Sequence, residues 1–157
     1  WRQEVLAARW GRLAHKGGVV HLGKSFKPRP GFSLMLFGSV RDVPSSDVGS
    51  TIRGTRGFRI QWLVTKENGS SKYAVRRFTV EPGGRMPLHK HKYTEAVVIL
   101  RGALRVRING EERVLGPGDF FFTGPGEPHS IENAGGSEAE FICTISYEDD
   151  MSITVLE

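Results

Sequence analysis

The chain is 157 residues long, with 38% hydrophobic and 25% charged residues and a formal net charge of +5. This suits one folded domain, leaves little room for a second, and excludes a disordered chain; without a three-residue repeat, the 20 glycines do not make a collagen either. A single cysteine excludes an intrachain disulfide framework and a cysteine-built zinc site, and points to a reducing, cytoplasmic compartment.

In chain order, residues 1–34 carry seven Lys or Arg against one acid, Glu4, whereas residues 35–157 carry 15 bases and 16 acids. The positive charge therefore belongs to a basic N-terminal extension, residues 1–34, ahead of a nearly neutral domain, residues 35–157. Val5, Leu6, Trp10 and Leu13 recur at helical spacing and predict a short amphipathic helix over residues 1–15 that ends at Gly17-Gly18. A basic arm attracts acidic surfaces. No groove-reading motif or zinc-finger spacing accompanies it, so it reads as a solvated extension and nucleic acid is not an expected partner. No apolar run approaches the roughly 20 residues of a membrane span, so no membrane partner is expected. Residues 22–57 are rich in Gly, Pro and Ser and read as an extended arm with at most one short strand.

From Phe58 onward, strand follows strand. Phe58–Val64 is apolar and β-branched, and Glu67-Asn68-Gly69-Ser70 is a turn cluster. Tyr73–Val80 follows and is expected to break at Pro82-Gly83-Gly84. Glu95–Leu100 and Ala103–Ile108 flank Arg101-Gly102. Asn109-Gly110 predicts a type I′ hairpin into Glu111–Leu115. Phe120–Thr123, His129–Asn133, Glu138–Ser146 and Ser152–Leu156 complete the series. Many short strands with closely spaced turns make an all-β sandwich or barrel. In Glu95–Leu100 both alternating sets, Val97 with Ile99 and Ala96 with Val98 and Leu100, are apolar, so both faces call for a cover. That feature and the apolar residues of the arm point to a homodimer.

His89 and His91 share a face on an extended backbone, because the side-chain period is two. Glu95 keeps that parity if the Lys92-Tyr93-Thr94 turn does not slip the register. Two imidazoles and a carboxylate converging on one side form a candidate transition-metal site. His15 and His21 have no partners at ligand spacing.

The surroundings of these residues carry a resemblance. Gly83-x5-His89-x-His91-x3-Glu95-x6-Gly102 matches the first cupin motif at every fixed position. Gly118-x5-Gly124-x-Gly126-x2-His129-x3-Asn133 matches the second, except that the family usually has proline where Gly124 stands; here proline follows at Pro125. Tyr73-Ala74-Val75-Arg76 and Phe141-Ile142-Cys143 are similar to segments that flank the two motifs in small single-domain cupins. The resemblance spans about residues 58–147.

It implies a double-stranded β-helix, or jelly roll, preceded by a helix-plus-arm extension. It also implies one divalent transition metal per chain, held inside the barrel by His89, His91, Glu95 and His129. Mn or Fe is favoured, with Zn, Ni or Cu also compatible. An octahedral ion would keep open positions for water, dioxygen or a chelating substrate, as a catalytic site requires.

Around that site, Arg76 sits in a half-buried strand and needs a substrate anion or a carboxylate as partner; Arg77 points the other way. Phe141 and Cys143 share a face with Ile145, and would line the cavity if that face is inward. Met86 is placed to narrow the pocket entrance and Tyr93 to cover the metal. The expected function is metal-dependent, oxygenase-type chemistry on a small chelating organic substrate, with Glu95 and Arg76 as the catalytic side chains. The alternatives are an isomerase or lyase, and a non-catalytic small-molecule-binding or sensor module.

Overall fold

The computed structural model describes residues 36–157 fully and the backbone of residues 17–18 and 33–34. The helix expected over residues 1–15 lies outside the described residues. Gly17–Gly18 (β1) and Ser33–Leu34 (β2) pair in parallel. A 3-10 turn, Val40–Asp42, precedes β3 (Ser46–Asp47) and β4 (Arg56–Val64). Then come β5 (Tyr73–His91), β6 (Glu95–Arg101), β7 (Leu104–Ile108), β8 (Glu111–Leu115) and β9 (Phe120–Thr123). The series ends with β10 (His129–Asn133), β11 (Ala139–Ser146) and β12 (Ile153–Val155).

The ten strands β3–β12 form one antiparallel sheet with the path β8-β7-β10-β5-β11-β6-β9; β4 and β12 also pair with β5, and β3 with β4. The sheet curls into a nearly closed jelly-roll barrel. β5 is its hub, and here the expected break at Pro82-Gly83-Gly84 is corrected: one strand of 19 residues runs through it. Gly83 takes φ +71°, and a Cβ on Gly84 would stand 2.7 Å from Val80 Cγ1 and 3.0 Å from Gly57 O. The glycines bend the strand without ending it. Its first half pairs with β4 and β11 and its second with β10 and β12. Asn133 fastens the bend, its Nδ2 donating to the carbonyls of Val80, Glu81 and Ser137.

The period-two pattern decides what lies inside. In β11, Ala139, Phe141, Cys143 and Ile145 are buried while their neighbours are half-buried. Phe78 and Phe141 stack at 4.8 Å, and Phe58 meets both edge-on at 6.5 Å. Burying each ring contributes roughly 1.5–3 kcal/mol. The expected hairpin joins β7 to β8, with Asn109 at φ 50° and Gly110 at φ 88°. In β6, Val97 and Ile99 face the core, but Val98 and Leu100 are open on the outside of the single chain.

Candidate metal centre

β5 ends by placing His89 and His91 on its inner face, and β10 lies beside it with His129 directly opposite His89. β6 begins with Glu95, also buried. The intervening turn is pinned by the Gly126 N–H on His91 O and the Thr94 N–H on Ser146 Oγ. The three imidazoles converge, with one ligand atom from each lying within 4.8 Å of the others.

The orientation of each ring is set locally. His89 Nδ1 lies 2.8 Å from Pro87 O, His91 Nδ1 2.8 Å from Tyr93 O, and His129 Nδ1 2.9 Å from Glu127 O. A carbonyl only accepts, so each Nδ1 carries the proton and each Nε2 presents a lone pair. His129 Nε2 is buried without a hydrogen-bond partner. Glu95 Oε2 stands 3.1 Å from His91 Nε2 and 3.6 Å from His129 Nε2. With the rings neutral, acceptor would face acceptor across those gaps, an arrangement that a cation between them satisfies. The donor set, three imidazole nitrogens and a carboxylate oxygen, fits a divalent transition metal. Burial, aided by nearby His129, pushes His89 down to about 4, so its ring is neutral and ready to ligate at pH 7.

The other carboxylate oxygen is held from behind. Glu95 Oε1 accepts from Cys143 Sγ at 2.7 Å and from Arg76 Nη2 at 3.4 Å, and Arg76 Nη2 also reaches Cys143 Sγ at 2.7 Å. Register explains the meeting: Arg76 stands between Trp62 of β4 and Cys143 of β11. Its guanidinium lies 5.5 Å from the Trp62 ring and 5.2 Å from the Phe78 ring, so the charge is covered by two aromatic faces. Burial pushes the Glu95 carboxyl upward, but the contacts with His129 and His91 and the charge of Arg76 overrule it and hold it well below the usual range. Burial pushes the Cys143 thiol well up, despite Arg76, so it stays protonated and donates. Arg77 points outward to Gln61 Oε1 and Glu140 Oε1, at 2.6 Å each.

A cavity of about 590 Å³ opens onto this centre, reaching His89 and Glu95 at its buried end. Met86, Tyr93, Phe141 and Arg76 are on its wall. The Tyr93 ring stacks on His91 at 3.7 Å and 6° between planes. Cys143 is fully buried beside Arg76 and Glu95, which are on that wall, and its thiol donates to the carboxylate. Sequence reasoning missed the opposite wall, built by Ile60 and by the turn from Ser46 to Ile52. Thr51 and Ile52 both donate backbone N–H groups to Val48 O in that turn. Val48 and Ile52, apolar and four apart in a Ser- and Gly-rich stretch, were its faint signal.

Comparison with known proteins agrees with this architecture. A family model described as a cupin domain matches residues 76–145. An oxalate-binding protein of Thermotoga maritima is 36% identical over 99 residues, 61% of this chain and 82% of that protein. A solved structure from Thermotoga maritima, described as a predicted oxalate decarboxylase, is 30% identical with a TM-score of 0.66, covering 72% of this chain and 100% of the other. The polyketide cyclase RemF from Streptomyces resistomycificus shares the fold, at 22% identity and a TM-score of 0.71 over 78% of this chain and 86% of its own. With two motifs in order, a converging histidine triad and a relative of this similarity, the chain belongs to the cupin family.

Proposed function

We propose that the protein is a metal-dependent cupin enzyme that carries out oxygenase-type chemistry on a small, metal-chelating organic substrate. The observation that carries the proposal is the set of three Nδ1-anchored imidazoles whose Nε2 atoms face one another and Glu95 Oε2, with His129 Nε2 otherwise unpartnered. His89, His91, His129 and Glu95 would hold one divalent ion, with Mn or Fe suiting the oxygenase reading. When bound, such a metal supplies Lewis-acid activation and an anchoring point for the chelating substrate. Glu95 would also take the proton that a chelating hydroxyl releases if its Oε2 leaves the metal, while Arg76 and Cys143 hold Oε1. Tyr93 and Met86, buried on the cavity wall, would shield the buried end from water.

Oxygen uptake by Fe- or Mn-loaded full chain, measured with catechols, diketones and flavonols, tests this reading. Chelator-dependent uptake that vanishes in His91→Ala supports it. Full retention of metal in His91→Ala and His129→Ala sinks the assignment. A second reading, a non-catalytic binding module, is favoured by the oxalate-binding relative; tight chelator binding without turnover would select it. The open outer row of Val98, Leu100, Phe120 and Phe122 supports a homodimer with a second copy covering that face. The buried free thiol of Cys143 suits a cytoplasmic setting; among the described residues no helix is long and apolar enough to cross a membrane.

A further inference from the structure

We infer that the ligand of this centre is a chelator of at most one negative charge with an apolar, ring-sized body, rather than a compact dianion such as oxalate. The inference rests on the metal reading above and concerns what the cavity accepts.

Size is the first argument. A cavity of about 590 Å³ falls inside the roughly 300–1,000 Å³ range of pockets that enclose drug-sized molecules. Oxalate, two joined carboxylates without apolar surface, would leave most of it empty. Lining is the second argument. Between the buried metal end and the exposed rim, the wall is made by Ile52, Ile60, Phe78, Ile131, Phe141 and Ile145. Apolar walls of this kind favour apolar ligand surface, at about 25 cal/mol per Å² removed from water.

Charge is the third argument. Among the described residues, Arg76 is the only Lys or Arg on the cavity wall. Its guanidinium is already engaged by Glu95 Oε1 and Cys143 Sγ and covered by Trp62 and Phe78. The remaining charged side chains of the wall, Glu95 and Asp47, are acidic. Beyond the metal itself a dianion would find no free cationic side chain there, and the carboxylate oxygens left off the metal would be desolvated without a partner. An enolone or catechol head that gives up one proton, followed by a ring along the Ile60–Phe78 wall, meets both the charge and the surface. The outer end of the cavity carries hydroxyls, Ser46, Ser50 and Thr51, which suit a polar group on the far side of that ring.

The test is calorimetric titration of the full chain loaded with zinc, which is redox-inert and prevents turnover. Oxalate, maltol and 3-hydroxyflavone, all bidentate oxygen chelators, serve as probes. The expected order is flavonol tightest, then maltol, then oxalate, with the flavonol roughly tenfold or more tighter than maltol from its extra buried ring. Ile60→Ser and, independently, Ile52→Ser should narrow the flavonol–maltol gap. Phe120→Ser, on the outer surface, should leave it unchanged. Oxalate binding as tightly as the flavonol, or a gap that collapses in Phe120→Ser and persists in both isoleucine variants, overturns the inference while the metal reading stands. Failure of the chain to take up zinc contradicts the metal reading instead.

Discussion

Pro87, Tyr93 and Glu127 each lend a backbone carbonyl to the imidazole two residues away, so the metal-facing tautomer is built by the local chain. Metal should therefore bind a site that is already oriented. A ligand that binds only the folded state stabilises it by about 2.7 kcal/mol at a hundredfold excess over Kd. His129→Ala should abolish the rise in Tm that added Mn or Zn produces, as read by calorimetry. Arg76 supplies the positive charge next to buried Glu95, with side chains 9% and 7% exposed. Arg76→Leu should cost about 3–5 kcal/mol in the metal-free protein, because it strands a buried carboxylate. The loss should shrink in metal-loaded protein, where the ion supplies the missing charge; urea unfolding of both forms checks this. On the outer face, the Arg77 hydrogen bond and the charges of Arg77 and Arg101 hold Glu140 below its ordinary value of 4.5. A depressed carboxyl contributes its stability above that value and loses it as pH falls through the folded-state pKa. Glu140→Gln should therefore flatten the acid limb of the stability curve and leave its neutral-pH slope alone.

Strand alternation was the most legible element-level signal. Phe141, Cys143 and Ile145 read as one face and are one face, which Ala139 joins. Asn109-Gly110 read as a hairpin turn and is one. The bend of β5 was not legible, because a Pro-Gly-Gly cluster that ends a strand and one that bends it are alike in sequence. Only the close approach of Gly84 to Val80 and Gly57 shows which it is. That bend sets where His89 and His91 arrive. Gly84→Ala puts a Cβ 2.8 Å from Glu81 O and should cost about 1–3 kcal/mol, as overpacking does. It should also weaken metal binding, measurable by competition with a chromophoric chelator; unchanged affinity would show that the bend does not position the ligands. The turn over residues 46–52 left only a faint signal for another reason. It has no periodicity, and its role as a cavity wall comes from backbone hydrogen bonds to Val48 O and Phe58 O.

Across the whole molecule, spacing within one segment made His89, His91 and Glu95 legible, and the resemblance to the second cupin motif added His129, which β10 sets opposite His89 of β5. The contact of Arg76 with Cys143, 67 residues apart, depends on the register between β5 and β11, which no local spacing encodes. The apolar outer row was visible in Glu95–Leu100, and the structure extends it across β9 to Phe120, 75% exposed, and Phe122, 58% exposed. Covering such side chains contributes roughly 1.5–3 kcal/mol each. Light scattering should therefore show a dimer of the full chain and a monomer for the double variant Phe120→Ser, Phe122→Ser; an unchanged dimer would move the contact elsewhere. Both the chemistry and the ligand preference depend on the metal centre, and anomalous diffraction from crystals of the metal-loaded full chain tests it most directly. One strong anomalous peak per chain is expected, enclosed by the Nε2 atoms of His89, His91 and His129 and by Glu95 Oε2. A fully loaded crystal with its peak elsewhere, and none among these four side chains, would contradict the metal assignment.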